Sequence, residues 1–387
     1  MKIKVGVIFG GCSVEHEISI ISALQAMDVM DLSKYEIVPI YISKDKEWYT
    51  GEILRNIDSY KDTNSLFKKA RKCILYHKNH SFVLQSKNKL KSILSEVDLA
   101  FPIVHGANVE DGTLSGYLET IGIPYVGSNV LSGAISQDKV VMKDIFKSNN
   151  LPIVPYIWFY DTNYFDNEKD ILSDIKSLGY PVIVKPCSLG SSIGIGVAYN
   201  EMEVKEAIEV AINYDYKIVV EKVVPNLLEV NCSVLGNYEN SSASEIEEVM
   251  GNDEFLSYQD KYFSKSKTKG MASTKRVIPA RISKELKIDI QNTSLKVFKV
   301  LNSSGVVRID YLIDSKEGLF YVNEINSIPG SLSFYLWESS GKHYKDLIDD
   351  LINVAIKNYK KRENKLYSLD TNILESMNGT KGSKGKI

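Results

Sequence analysis

The stretch Gly305-Val306-Val307-Arg308-Ile309-Asp310-Tyr311-Leu312-Ile313, the polar turn Asp314-Ser315-Lys316-Glu317-Gly318, and Leu319-Phe320-Tyr321-Val322-Asn323-Glu324-Ile325-Asn326 read together as a hairpin. Side chains alternate between the two faces of a strand, so Arg308 and Asp310 share one face of the first strand and Glu324 and Asn326 one face of the second. A turn centred on Glu317 sets Asp310 opposite Glu324 and Arg308 opposite Asn326, and all four share a face. Carboxylates directly across a ladder repel each other unless a proton or cation lies between them. Hard divalent cations accept such oxygen ligands and complete their shell with water and phosphate oxygens. Apolar Val322 and Ile325, with Pro329-Gly330 just beyond, argue against a merely solvated face.

A second constellation lies upstream, in Lys185-Pro186-Cys187-Ser188-Leu189-Gly190-Ser191-Ser192-Ile193-Gly194-Ile195-Gly196. A strand ending in lysine and followed by small residues lets backbone N–H groups approach phosphate oxygens closely, with the ammonium supplying charge. The spacing is not that of a Walker A loop. The apolar strand Ile218-Val219-Val220-Glu221-Lys222-Val223-Val224 is suited to holding an adenine ring between aliphatic side chains. Two loops nearer the N-terminus add polar groups. Glu15, in Gly10-Gly11-Cys12-Ser13-Val14-Glu15-His16-Glu17, falls in the first turn of a helix, where it offers a counter-charge to a ligand ammonium. His105 ends a strand beside the acid-rich turn Gly106-Ala107-Asn108-Val109-Glu110-Asp111-Gly112.

The rest of the chain sets the frame. At 387 residues it exceeds one comfortable core, so two or three domains are expected. With 47 Lys plus Arg against 49 Asp plus Glu, no broad basic field exists for nucleic acid or an anionic membrane. Cys12, Cys73, Cys187 and Cys232 show no CxxC spacing, which argues against zinc or a disulfide framework and fits a cytoplasmic protein. Lys4 interrupts any apolar leader, and no segment approaches the roughly 20 apolar residues of a membrane span.

Strand, glycine turn, helix and strand follow one another at Ile3 to Phe9, Gly10-Gly11, Ile18 to Met30 and Ile37 to Ser43, the order of an open parallel sheet. Residues 51–92 read as short antiparallel elements or an insertion. Leu99 to His105 is a further strand, with a helix from Gly112 to Ile121. Strands at Val182 to Lys185 and Ile218 to Glu221 define a second unit, and Leu228 to Leu235 opens a third. Expected domains are therefore 1–127, 128–225 and 226–365, with a polar lid loop at 253–275 and a flexible tail at 366–387.

Taken in order, Gly10-Gly11-x-Ser13-x-Glu15-His16, His105-Gly106-x-x-x-Glu110-Asp111-Gly112, Asp138-Lys139, Gly190-Ser191-Ser192-x-Gly194, Arg308-x-Asp310 and Glu324-x-Asn326-x-x-Pro329-Gly330 resemble the D-alanine-D-alanine ligase family of the ATP-grasp superfamily. The resemblance implies an α/β chain: an ATP-grasp fold preceded by an open parallel-sheet N-terminal domain. ATP is expected between the second and third domains. Lys139, Lys185, Glu221, Lys222, Val224, Glu229 and, on the lid, Lys261 match the family's nucleotide contacts. Asp310, Glu324 and Asn326 match the ligands of two magnesium ions, with manganese an expected substitute. Glu15 matches the anchor for the first D-alanine's ammonium, with His105 nearby and Ser191 and Tyr262 as hydrogen-bonded partners. Arg308 and the backbone of Gly330 match the donors that steady the reacting carboxyl. The family also implies a homodimer.

The expected reaction joins D-alanine to a second D-amino acid through an acyl phosphate, supplying D-alanyl-D-alanine for peptidoglycan. After Pro329-Gly330 the chain departs from the family's usual pattern with Ser331-Leu332-Ser333-Phe334-Tyr335-Leu336-Trp337. Tyr335 stands where many members carry serine, beside Leu336 at the acceptor pocket. That tail is similar to vancomycin-resistance ligases that add D-serine, so a D-alanine-D-serine ligase is the rival expectation. Tyr262 argues against D-lactate as acceptor. Val109 replaces a glycine usual in its motif. A nucleotide-binding regulator that has lost catalysis is the remote alternative, disfavoured because Arg308, Asp310, Glu324 and Asn326 are all present.

Overall fold

The computed structural model describes residues 2–88, 90–190, 193–250 and 276–368. The lid at 253–275 with Lys261 and Tyr262, Ser191, and the tail from 369 onward lie outside the described residues.

Among the described residues the strands form three sheets. In the first, β1 (Ile3–Gly10) lies between β2 (Tyr35–Ile42) and β7 (Leu99–Val104), parallel to both. Strands flanked on both sides and covered on both faces read as continuous apolar runs, and all six residues of β7 are buried. The sheet then continues antiparallel through β3 (Trp48–Thr50), β4 (Arg71–Lys78), β5 (Ser81–Ser86) and β6 (Ile93–Glu96). Residues 51–92 thus supply the short antiparallel elements expected of them. At Gly10 the backbone has φ 91°, and a Cβ there would lie 2.2 Å from the Ile42 carbonyl oxygen, so only glycine fits the turn out of β1.

The second sheet is antiparallel, ordered β10-β9-β11-β8 from β8 (Tyr156–Tyr160), β9 (Val182–Pro186), β10 (Gly196–Ala198) and β11 (Lys217–Lys222). The third is ordered β14-β13-β12-β15-β16 from β12 (Leu227–Gly236), β13 (Ser241–Val249), β14 (Arg276–Val277), β15 (Gly305–Asp314) and β16 (Leu319–Asn326). The helix Lys284–Val300 covers one of its faces, its N-terminus capped by Ser283, whose hydroxyl accepts from the Leu286 N–H. Met142 and Phe146, on the helix Lys139–Ser148, share the apolar core under this sheet with Val230, Ile309 and Val322. A further core joins Phe9 and Phe101 of the first sheet to Leu332, Trp337 and Leu347 near the C-terminus. The second sheet has a core of its own, Val182, Val184, Ile218 and Val220 packing with Leu172, Ile175 and Ile208, and its Lys185 reaches Asn323 of the third sheet. Among the described residues, no helix is long and apolar enough to cross a membrane.

Candidate active site

The hairpin of β15 and β16 has the register expected at its functional end: Arg308 pairs with Asn326 and Asp310 with Glu324. Beyond Asp310 the register shifts, so that Tyr311 faces Val322 and Asn323 has no partner. This bulge sets two successive residues, Asn323 and Glu324, along the wall of one cavity of about 210 Å³. Arg308 grips Asp310 in a forked pair, Nε to Oδ1 at 2.6 Å and Nη2 to Oδ2 at 2.7 Å. Burial opposes the guanidinium charge, but the Asp310 carboxylate outweighs it and holds the Arg308 pKa well above its ordinary value. The Asn326 amide nitrogen donates to Asp310 Oδ2 at 3.2 Å.

Asp310, Glu324 and Asn326 thus present two carboxylates and a carboxamide, all oxygen donors of the kind a hard divalent cation takes. Among the described residues no group of three or more His, Cys, Asp and Glu side chains could hold a metal ion by itself. Three such donors leave the rest of an octahedral shell open to further ligands. A donor set this sparse fits magnesium sharing its shell with phosphate oxygens and water.

The second sheet supplies the opposite wall. Lys185 at the end of β9 and Glu221 on β11 are joined at 3.0 Å, and Lys185 Nζ also reaches the Asn323 amide oxygen at 3.4 Å. Lys143, fully buried, lies 3.2 Å from the other Glu221 oxygen. Burial resists ionisation of Glu221, but the Lys143 and Lys185 ammoniums prevail and lower its pKa to about 2. Lys139 donates to the Leu189 carbonyl at 2.6 Å and stands 3.9 Å from Glu324, linking the two walls. Lys222, Val224 and Glu229 also line the cavity. The Lys222 ammonium donates to the Gly179 carbonyl at 2.7 Å.

At the third side, Glu15 occupies the cap position before the helix His16–Val29, one residue ahead of the first turn in which the sequence pattern set it. It faces the cavity with His105 and Gly190, and a Cβ at Gly190 would meet its carboxylate at 3.6 Å. His105 is buried and bridges two segments: Nδ1 lies 2.8 Å from the Ile328 carbonyl and Nε2 3.1 Å from the Ser22 hydroxyl. A carbonyl only accepts, so Nδ1 carries the proton and Nε2 accepts from Ser22; burial, which lowers the His105 pKa, favours this neutral form. Ser22 in turn accepts from the Ser331 N–H at 2.9 Å. That bond steadies a turn just past Gly330 in which Ser331, Leu332 and Ser333 take φ values of 51°, 53° and 50°. Three left-handed residues in succession cost about 1–2 kcal/mol each without glycine, and such strain persists where surrounding contacts over-determine it.

The structure therefore gathers Glu15, His105, Lys139, Lys185, Glu221, Lys222, Val224, Glu229, Arg308, Asp310, Glu324, Asn326 and Gly330 around one cavity. Tyr335 and Leu336 stand behind it: Leu336 is wholly buried, and the Tyr335 hydroxyl donates to Glu247 Oε1 at 3.1 Å. Several lining or supporting residues escaped the sequence reading, Ser22 and Asn231 among them. Lys143 sits four residues, one helical turn, from Lys139, a spacing that could have revealed it. Glu110 lay within a quoted motif; its carboxylate accepts from the Gly106 and Ile328 N–H groups at 3.0 and 2.8 Å. Burial, then the nearby Glu15 charge, raises its pKa to about 7. Glu247, Arg276 and Asn323 carried no local signal.

A lysine-bearing antiparallel sheet closing over a sheet floored with carboxylates defines an ATP-grasp, ADP-forming carbon-nitrogen ligase. Residues 4–128 match the family model for the D-ala D-ala ligase N-terminus and residues 145–353 that for its C-terminus. The D-alanine--D-alanine ligase of Thermosipho melanesiensis is 42% identical over 374 residues, covering 96% of this chain and 98% of the relative. The VanG D-Ala:D-Ser ligase of Enterococcus faecalis superposes with a TM-score of 0.77 at 30% identity, over 92% of this chain and 100% of that one. The D-alanine--D-alanine ligase of Bacillus anthracis, solved with ATP, superposes with a TM-score of 0.66 at 27% identity, over 93% and 99%. The chain belongs to the D-alanine-D-alanine ligase family.

Proposed function

We propose that this chain phosphorylates one D-alanine with ATP and joins it to a second, giving D-alanyl-D-alanine, ADP and phosphate. The observation that carries the reading is the Arg308, Asp310, Glu324 and Asn326 quartet facing Lys139 and Lys185 across one cavity. D-alanine is preferred over D-serine as acceptor because the relative at 42% identity carries the D-alanine--D-alanine name, against 30% for the D-serine enzyme.

A free carboxylate is a poor acyl donor, so phosphoryl transfer must activate it first. Lys139 and Lys185 lie where their charges would neutralise the transferring phosphate, while Glu221, Lys222, Val224 and Glu229 line the place for the nucleoside. Asp310, Glu324 and Asn326 would hold magnesium, which supplies charge neutralisation at the phosphates. Glu15 offers the counter-charge for the first D-alanine's ammonium, and neutral His105 stands beside it. Attack by the second amine on the acyl phosphate creates a tetrahedral oxyanion, and Arg308 with the Gly330 N–H is suited to receive it. Loss of one such donor costs about a hundredfold in rate. The roles of Ser191, Lys261 and Tyr262 belong to the same reading. So do a homodimeric assembly and a cytoplasmic location, tested by gel filtration and by fractionation.

Measuring ADP release with D-alanine alone, and then with D-serine added, tests the acceptor. Turnover with D-alanine alone is expected; activity that appears only with D-serine would overturn the choice of D-alanine.

A further inference from the structure

The segment Ser327-Ile328-Pro329 leads from β16 to Gly330, whose N–H is the proposed oxyanion donor, and the N-terminal part of the chain holds it on both sides. Glu110 Oε1 accepts from the Ile328 N–H at 2.8 Å and from the Ser327 hydroxyl at 3.1 Å. The carbonyl of the same Ile328 accepts from His105 Nδ1 at 2.8 Å. Just past Gly330, the Ser331 N–H donates to the Ser22 hydroxyl at 2.9 Å. Gly330 therefore lies between two anchored residues, and Pro329 before it, with φ −69°, has its φ locked by its own ring.

The loop that makes these bonds also carries the anchor for the donor ammonium. The Glu15 N–H donates to the Ser13 hydroxyl at 3.2 Å, and that hydroxyl donates to the His105 carbonyl at 2.6 Å. Gly106 lies against both carboxylates: its N–H donates to Glu110 Oε2 at 3.0 Å, and a Cβ on it would stand 3.1 Å from Glu15 Oε2. One buried carboxylate, that of Glu110, thus ties the loop under the donor to the segment that presents the Gly330 N–H. A backbone donor stabilises an oxyanion only when aimed at it, and a misplacement of about 1 Å costs about a hundredfold in rate.

Resting on the ligase reading above, we propose that Glu110 is a positioning residue for acyl transfer: through Ser327 and Ile328 it fixes the Gly330 N–H against the acyl group of a donor anchored at Glu15. In that step the free amine of the acceptor attacks the acyl carbon and a C–N bond forms. The bond from that carbon to the phosphate oxygen breaks, phosphate leaves with the electron pair, and the amine's proton passes to solvent. Glu110 acts through the backbone, since its oxygens are taken by Gly106, Ser327 and Ile328. A misaimed Gly330 N–H slows the attack but leaves phosphoryl transfer at the lysine wall running. The acyl phosphate is then lost to water, giving back D-alanine and phosphate. A carboxylate that merely strapped two parts of the chain together would lower ADP release and dipeptide formation in proportion.

The test uses the full chain with ATP and D-alanine, and measures dipeptide formed per ADP released. Glu110→Leu removes the acceptor oxygens; dipeptide per ADP should fall about tenfold and the rate of dipeptide formation about thirtyfold, with the KM for ATP within about threefold. Glu110→Gln keeps an oxygen for Ser327 and Ile328, so its ratio should stay within about twofold of the unsubstituted protein. Glu110→Asp keeps the charge but withdraws it by one methylene, and its ratio should fall as in Glu110→Leu. If Glu110→Leu fails to fold, Glu110→Asp decides. A ratio unchanged in the folded Leu and Asp variants, or one that falls as far in Glu110→Gln, overturns the proposal. Absence of dipeptide from the unsubstituted protein would instead overturn the ligase reading on which it rests.

Discussion

Glu221 sits between two ammoniums, and its removal gives a sharp test of the electrostatics of the nucleotide wall. Its carboxylate is 1% exposed, 3.2 Å from Lys143 and 3.0 Å from Lys185. Glu221→Gln leaves two buried like charges facing a neutral amide, and breaking such a buried network costs about 3–5 kcal/mol. Linkage gives a similar size: lowering the pKa from 4.5 to about 2 is worth roughly 3 kcal/mol. Because the folded pKa is depressed, that stability is fully present above pH 4.5 and is lost as pH falls toward 2. Lys143→Met should behave differently. It leaves the neutral, hydrogen-bonded Lys185–Glu221 pair and removes an ammonium that makes no hydrogen bond among the described residues, so stability should change by no more than about 1 kcal/mol. The double variant Lys143→Met/Glu221→Gln removes one of the two stranded charges and should recover about 2 kcal/mol relative to Glu221→Gln. Urea denaturation of nucleotide-free protein, followed by circular dichroism at pH 7.5, measures all four corners of the cycle. Additive losses would refute the argument, as would a Glu221→Gln cost below about 1 kcal/mol.

Glu324→Gln keeps an oxygen but removes charge from the cation site; turnover should fall about a hundredfold or more with the circular dichroism spectrum unchanged, and manganese affinity read by electron paramagnetic resonance should fall with it. Glu110 has a raised folded pKa, so its contribution to stability is fully present below pH 4.5 and is lost as pH rises through about 7. Denaturation midpoints at pH 5.5 and 8 should therefore diverge less in Glu110→Gln than in the unsubstituted protein. Ser22→Ala removes the hydroxyl shared by His105 and the Ser331 N–H, and should cost about 1–3 kcal/mol by urea titration.

The parts legible in sequence were those whose chemistry follows local periodicity. Strand alternation and a turn placed near Glu317 brought Arg308, Asp310, Glu324 and Asn326 onto one face, and the glycine turn after β1 followed from the apolar run before it. Arg276 and Glu247 were illegible for the opposite reason. Their meaning comes from β13 and β14 joining a sheet whose central strands lie elsewhere in the chain, and from Tyr335 arriving from behind. Ser22 is equally silent, a mid-helix serine whose value appears only when His105 and Ser331 converge on it from 83 and 309 residues away. Tyr335 shows the limit of matching residues by position. It stands where the family pattern expects the acceptor pocket, yet it lies behind the cavity wall, and Glu247 and Arg276 line the cavity there instead.

Asn323 shows how a correct register can rest on an incomplete picture. Strict alternation from Glu324 sends Asn323 to the opposite face, away from the cavity. On the turn side of the bulge the residue numbers of each pair add to one less than on the Asp310 side, as Tyr311 with Val322 and Asp310 with Glu324 show. The turn is therefore half a residue from Glu317, and the unpaired Asn323 takes up the difference between the two registers. Removing Asn323 would leave those carboxylates opposed, because the shorter strand simply closes the register. What it would remove is the amide oxygen 3.4 Å from the Lys185 ammonium. The bulge is thus not needed to pair the acids. It sets an uncharged acceptor beside Lys185 on the facing sheet, next to Glu324, so that a neutral contact from Asn323 adds to the charged one between Lys139 and Glu324 where the lysine wall meets the carboxylate wall.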